Sequence, residues 1–219
     1  MIRAIVFDFD GLILETETPA LQSWSEIYRE HGFEVPMDKW HGYLGADRGF
    51  DPVDHLAALV GEGLDRVATQ RRRDRRKTEL IEALDLMAGV RDYIADARRL
   101  DMKLAVASSS SRAWVVGHLE RLHIHALWDA VLTRDDVTRT KPSPDLYQLA
   151  VARLGVQPSQ AVALEDSPNG IAAAKEAGLR CVAVPNALTR ELDVSRADVR
   201  LASLAEMPLE KLLDVLSAP

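Results

Sequence analysis

Cysteine is close to absent from this chain: Cys181 is the only one in 219 residues, so no intrachain disulfide can form. It sits in the apolar run Cys181-Val182-Ala183-Val184 and reads as a small buried core residue. No apolar run approaches the roughly 20 residues needed to cross a bilayer, which sets a membrane span aside. A surplus of positive charge is missing as well. The 34 Asp and Glu outnumber the 27 Lys and Arg, and a net charge of −7 is the wrong sign for a face that meets nucleic-acid phosphates. The six histidines show no metal-ligand spacing. Repeats and low-complexity stretches are absent, and the N-terminus enters an apolar strand without the pattern of a signal peptide. The expectation is a cytoplasmic globular protein. Its 47% hydrophobic and 28% charged residues are ordinary for that class, and its length allows one good core with a smaller domain attached.

The most informative stretch stands at the start: Ala4-Ile5-Val6-Phe7-Asp8-Phe9-Asp10-Gly11-Leu12. Its β-branched run without polar alternation predicts a buried strand over 2–7. The strand ends in two carboxylates two residues apart, followed by a glycine that can turn the chain. Alternate strand residues point the same way, so Asp8 and Asp10 can converge on one site. Neighbouring carboxylates repel, and their closeness calls for a cation, a shared proton or open water. A divalent metal with Asp8 as nucleophile is the working hypothesis. The rest of the chain must then supply the remaining parts.

A strand-to-helix connection in an α/β domain usually takes about 2–6 residues, yet core-like patterns resume here only in the late eighties. The intervening segment carries helical faces instead. One is Ala20, Leu21, Trp24, Ile27 and Tyr28; another is Phe50, Val53, Leu56, Ala57 and Val60; a more charged third covers 64–84. Residues 16–84 therefore read as a helical insertion, a cap over the first loop that selects the substrate, and 1–15 with 85–219 as the core. Within the core, helix 89–100, strand 103–107, helix 112–122 and strand 128–132 follow in turn. Next come a helix capped by Ser143 with Pro144 at its first position and stopped by Gly155, strand 161–164, and a helix capped by Ser167 before Pro168. Gly178 ends that helix, and strand 180–184 and helix 208–216 complete the chain. Such alternation predicts an α/β fold with a Rossmann-like parallel sheet.

In an open parallel sheet, ligands bind beyond the carboxyl ends of the strands. Three predicted strands end in polar groups: Asp8 with Asp10, Ser108, and Glu165 with Asp166. Lys141 stands in a loop leading to a helix start and can join them from that side. Mg2+ favours carboxylates, water and substrate phosphate, and a transferred phosphoryl group needs donors on its oxygens. Acids, a hydroxyl and an ammonium meet both needs. The run Ser108 to Ser111 also offers a helix cap, so the functional reading is confined to Ser108.

Taken in order, these motifs resemble those of the haloacid dehalogenase-like phosphohydrolases. Asp8-Phe9-Asp10-Gly11 is similar to the first, Val106-Ala107-Ser108 to the second, Lys141-Pro142 to the third and Glu165-Asp166-Ser167-Pro168-Asn169-Gly170 to the fourth. The resemblance is greatest to the β-phosphoglucomutase-like group of sugar-phosphate phosphatases and mutases, whose members carry a small helical cap in the same place. It implies that Asp8 attacks phosphorus and forms an aspartyl-phosphate, and that Asp10 protonates the leaving oxygen and then activates water. It also implies Mg2+ held by Asp8, the backbone carbonyl of Asp10 and Asp166, with Glu165 as a further ligand or support. Ser108 and Lys141 would hold phosphate oxygens. Branches that cleave other bonds lack a carboxylate at the place of Asp10, so its presence implies phosphate esters. Glu15 departs from the more usual Asp but keeps the carboxylate.

The mutases of that group carry a histidine in the first cap helix, where an ungapped count finds Ala20 here. A phosphatase acting on a small phosphorylated metabolite is the expectation. The alternatives are a phosphosugar mutase and a non-catalytic phospho-ligand or protein-binding module on the same fold. In the cap, Arg76 (within the basic run 71–77) and Trp24 are the candidate substrate contacts. Their plainer readings are a solvated helix face and cap packing.

Overall fold

The structure, a computed structural model, describes residues 1–43 and 50–217. Strand β1 (Ala4–Phe7) leads into four helices: α1 (Glu17–Glu30), α2 (Met37–Tyr43), α3 (Pro52–Val60) and α4 (Arg66–Glu82). Then follow α5 (Val90–Arg99), β2 (Lys103–Ala107), α6 (Arg112–Arg121), β3 (Ala130–Leu132) and α7 (Asp145–Leu154). The chain closes with β4 (Ala161–Glu165), α8 (Pro168–Glu176), β5 (Arg180–Ala183), β6 (Val199–Arg200) and α9 (Leu209–Ser217). It divides into two compact units, Met1–Leu14 with Asp85–Pro219, and Glu15–Leu84.

The first unit is built on a six-stranded sheet in the order β3-β2-β1-β4-β5-β6, every pair parallel. Strand faces alternate, and here they alternate in size. Ala4, Val6, Ala105, Ala107, Ala161, Ala163 and Cys181 form the small face, packed with Leu146, Tyr147 and Ala150 of α7 and Ile171 and Ala174 of α8. Ile5, Phe7, Leu104, Val106, Val162 and Leu164 fill the opposite face and are fully buried. Cys181 is core, as its setting in the sequence implied, and burial raises its thiol pKa far above the usual range. Strand order runs one way from β1 through β2 to β3, and the other way from β4 outward. That reversal makes a crevice at the carboxyl ends of β1 and β4. Phe7 pairs with both Val106 and Leu164, so β2, β1 and β4 reach the crevice at one level.

Local signals account for most element ends. Ser167 caps α8 by accepting the Gly170 N–H, with Pro168 in the first turn. Ser143 does not cap α7. Its hydroxyl donates to the Asp145 carboxylate at 2.6 Å, a charged acceptor that outcompetes backbone for it, and Pro144 takes the cap position. Strand β3 begins at Ala130 rather than Trp128, whose ring instead meets Phe7 edge-on at 5.2 Å. Helix α2 and strand β6 lie outside the sequence expectation; at seven and two residues they are too short for periodicity to register.

In the second unit α1 packs on α4, and α3 on α4. Asp51 and Asp65 cap α3 and α4 through their carboxylates. Tyr28 ties α1 to the start of α3 by donating its hydroxyl to the Pro52 carbonyl at 2.7 Å.

Candidate active site

Parallel pairing of β1 with β4 assembles the site. The Asp8 N–H donates to the Leu164 carbonyl at 2.9 Å, which sets Asp8 beside Glu165 and Asp166. One oxygen from each of the three lies within 4.8 Å of the others, and all three residues are buried. Lys141, from the loop before α7, places its ammonium 2.6 Å from both Asp8 and Glu165. Tyr147 of α7 donates its hydroxyl to the same Glu165 oxygen. Three buried carboxylates thus stand together, and one ammonium pairs with two of them. Burial pushes the Asp8 carboxyl up to about 8 against the pull of Lys141, with Glu165 and Asp10 adding to the rise. For Lys141, burial works against the charged form, but Asp8 and Glu165 more than offset it and hold the ammonium above its usual range.

Buried like charges are costly unless a cation joins them. Glu165 Oε2 is buried with no hydrogen-bond partner among the described residues. Oxygen donors, an excess of negative charge and an acceptor left over are the setting a hard divalent cation requires. The residues present fit Mg2+.

Close backbone approach keeps the cluster tight. A Cβ on Gly170 would stand 1.9 Å from Glu165 Oε2, and one on Gly11 would stand 2.5 Å from Asp166 Oδ2. Gly11 also has φ +79, a left-handed turn that reverses the chain after Asp10. Asn186, buried beyond β5, donates to Asp166 Oδ2 at 2.8 Å, while its own carbonyl oxygen accepts the N–H groups of Leu188 and Thr189. The amide is fixed at one end and orients Asp166 with the other.

The Asp10 carboxylate is not one of the three. It is held at the end of β2 and the start of α6: Ser108 Oγ donates to its Oδ2 at 3.3 Å, Ser110 Oγ to Oδ2 at 2.6 Å, and Trp114 Nε1 to Oδ1 at 2.9 Å. Ser111 caps α6, so the serine run divides its work as the sequence allowed. The structure therefore brings together Asp8, Asp10, Ser108, Lys141, Glu165 and Asp166. Sequence reasoning missed Tyr147, Asn186, Ser110 and Trp114. Asn186 carried a signal, as a polar residue just past a strand's carboxyl end; the two aromatic residues sit within helices and carried none.

Arg76 and Trp24 belong to the other unit. Trp24 is 2% exposed, with Tyr28 edge-on to its ring and the Arg73 guanidinium 5.5 Å over its centroid. Its burial accords with the packing reading that stood beside the substrate one. Arg76 lines a cleft of about 250 Å3 with Ser23, Glu26 and Ile27. Its guanidinium pairs with Glu26 and Glu79, and Arg72 pairs with Glu30, so these members of the basic run are engaged by local acids.

The fold is a parallel α/β sheet with a buried acidic cluster at its carboxyl edge, and comparison with known proteins gives the family. The model of the haloacid dehalogenase-like hydrolase family matches residues 5–184. YhcW of Bacillus subtilis is 42% identical over 218 residues, covering 100% of this chain and 99% of that one. The fructose-1-phosphate phosphatase YqaB of Escherichia coli is 31% identical over 82% of this chain and 95% of its own. Among solved structures, CbbY from Rhodobacter sphaeroides in complex with phosphate is 34% identical with a TM-score of 0.75, covering 94% of this chain and 96% of that one. A mutant of CbbY in complex with xylulose-(1,5)bisphosphate is similar to the same extent, with a TM-score of 0.73. This chain belongs to the haloacid dehalogenase-like hydrolases.

Proposed function

We propose that this protein is a magnesium-dependent phosphatase of small phosphorylated metabolites, sugar phosphates foremost, working through an aspartyl-phosphate on Asp8. The observation that carries the reading is the burial of Asp8 between the Lys141 ammonium and the carboxylates of Glu165 and Asp166, with a second acid, Asp10, held apart from them. Asp8, Glu165 and Asp166, with the Asp10 carbonyl, would hold Mg2+. When bound, the ion neutralises charge on the phosphoryl oxygens and on the carboxylates around it.

Asp8 attacks phosphorus, and the ester P–O bond breaks as the aspartyl-phosphate forms. Asp10 gives its proton to the departing oxygen. It then takes a proton from water, which attacks the phosphorus, releases inorganic phosphate and restores Asp8. Lys141 and Ser108 bind the phosphoryl oxygens, and Lys141 also keeps Asp8 in place. Residues 16–84 act as the cap that selects the substrate. Ala20, buried in α1, offers no proton-transferring group there, which favours water over a sugar hydroxyl as the second acceptor. The relatives' sugar phosphates, fructose 1-phosphate and xylulose bisphosphate, support the substrate class.

The test is a screen of phosphorylated metabolites with magnesium, scoring free phosphate and isomerised product together. Phosphate release, its loss on chelation, and a fall of at least about a thousandfold in Asp8→Asn are the expected results. A purified Asp8→Asn protein with a near-normal rate would sink the mechanism.

A further inference from the structure

The grip on Asp10 is more elaborate than holding a side chain requires. Both carboxylate oxygens are engaged, and the two sides differ in kind. Oδ1 accepts from the Trp114 indole at 2.9 Å, a group that can only donate. Oδ2 faces the hydroxyls of Ser110 at 2.6 Å and Ser108 at 3.3 Å, which can donate or accept as they rotate.

The partners are themselves braced. Ser108 Oγ accepts the Ser110 N–H at 3.0 Å, closing the serine loop on itself. The Trp114 N–H of the main chain is tied to the Ser111 cap at 3.4 Å, which fixes where α6 begins. On its far side the indole ring meets the buried His118 ring edge-on at 4.4 Å. His118 in turn stacks with Phe9 at 6.3 Å, the residue next to Asp10 in sequence. The indole is thus aligned by groups anchored to the same strand end as the carboxylate it holds.

We infer that Trp114 and Ser110 are positioning residues for Asp10, fixing the direction in which its carboxyl group faces the leaving oxygen. Trp114 holds one oxygen with a donor fixed in its ring and Ser110 holds the other, so together they set the plane of the carboxyl group. No bond to substrate is assigned to Trp114; it acts through Asp10. The inference rests on the phosphatase reading, in which Asp10 protonates the leaving oxygen.

That dependence supplies the test. The more basic the departing oxygen, the more the first half-reaction relies on a well-aimed acid. The second half-reaction is common to all substrates, and kcat/KM reports only the steps through departure of the alcohol. The probes are 4-nitrophenyl, phenyl and benzyl phosphate with magnesium, three leaving groups of similar bulk and rising basicity. Trp114→Phe keeps an aromatic ring against His118 and removes the N–H. Its loss in kcat/KM should grow along the series and reach about tenfold for benzyl phosphate. Ser110→Ala should show the same slope, and it carries the test alone if Trp114→Phe fails to fold. Equal losses for all three substrates, or none, would overturn the inference while leaving the phosphatase reading standing. If the unaltered protein releases phosphate from none of them, the phosphatase reading falls and this inference with it.

Discussion

At the scale of the residue, two glycines show how the same substitution takes opposite signs. Gly170 lies in the first turn of α8, where a methyl group would overlap Glu165 Oε2. Gly170→Ala should cost about 1–3 kcal/mol and weaken magnesium binding, read by urea midpoint and by metal titration. Gly117, in the exposed middle of α6, has nothing within 4 Å of the place a Cβ would take. Gly117→Ala should raise stability by about 0.5–1 kcal/mol, because a helix interior favours alanine. Both glycines look alike in sequence. Gly170 was legible only as part of a motif; its physical task, leaving room for a carboxylate behind the helix start, needs the third dimension. Trp24 is the converse. Its helical spacing marked a buried face correctly, but spacing does not say which ring in an apolar stripe is enclosed by its neighbours.

At the scale of the element, the edge of the sheet hangs on one acid. Asp198 accepts from the Lys175 ammonium at 2.7 Å and from the Cys181 N–H at 2.7 Å, tying the approach to β6 to α8 and β5. Burial pushes its carboxyl up, but the Lys175 and Cys181 hydrogen bonds outweigh that and hold it below its ordinary 3.8. A carboxyl lowered on folding adds stability above its unfolded pKa and loses it as pH falls through the folded one. Asp198→Asn should therefore cost about 1 kcal/mol at neutral pH. Its unfolding midpoint should converge on that of the unaltered protein as pH drops below about 4. A constant gap down to pH 2 would show that the carboxylate's charge is not what holds the edge. Strand β6 escaped the sequence pattern because two residues make no period, and Asp198 looked like any surface acid without the strand it fastens.

At the scale of the whole molecule, the sheet's carboxyl edge is where folding and chemistry meet. Three carboxylates buried with one ammonium leave the first unit with an excess of negative charge that a bound cation would offset. Magnesium at about a hundred times its dissociation constant should add roughly 2.7 kcal/mol of stability, seen as a rise in melting temperature that a chelator reverses. Asp166→Asn should lose most of that rise. An unaltered protein whose melting temperature ignores magnesium would argue against the site. The remaining unit, Glu15–Leu84, is held by its own packing of α1 on α4 and by its own caps, so its stability should respond little to the metal.

The sequence by itself determined the alternation of strands and helices, the helical insertion, and the polar groups at three strand ends. Each rests on a short-range signal: an apolar run, a proline after a serine, a glycine at a stop. Strand order is different in kind. Ile5 pairs with Val162 across most of the chain, and no local pattern encodes such a partner. That pairing put Asp8 against Glu165, where Lys141 and Tyr147 reach them, and the pairing of β1 with β2 brought Ser110 and Trp114 to Asp10. The residues of the first motif were plain from the chain. Their division into a crowded acid among carboxylates and a second acid held by hydroxyls and an indole was decided by tertiary structure, because side-chain surroundings are set by contacts distant in sequence.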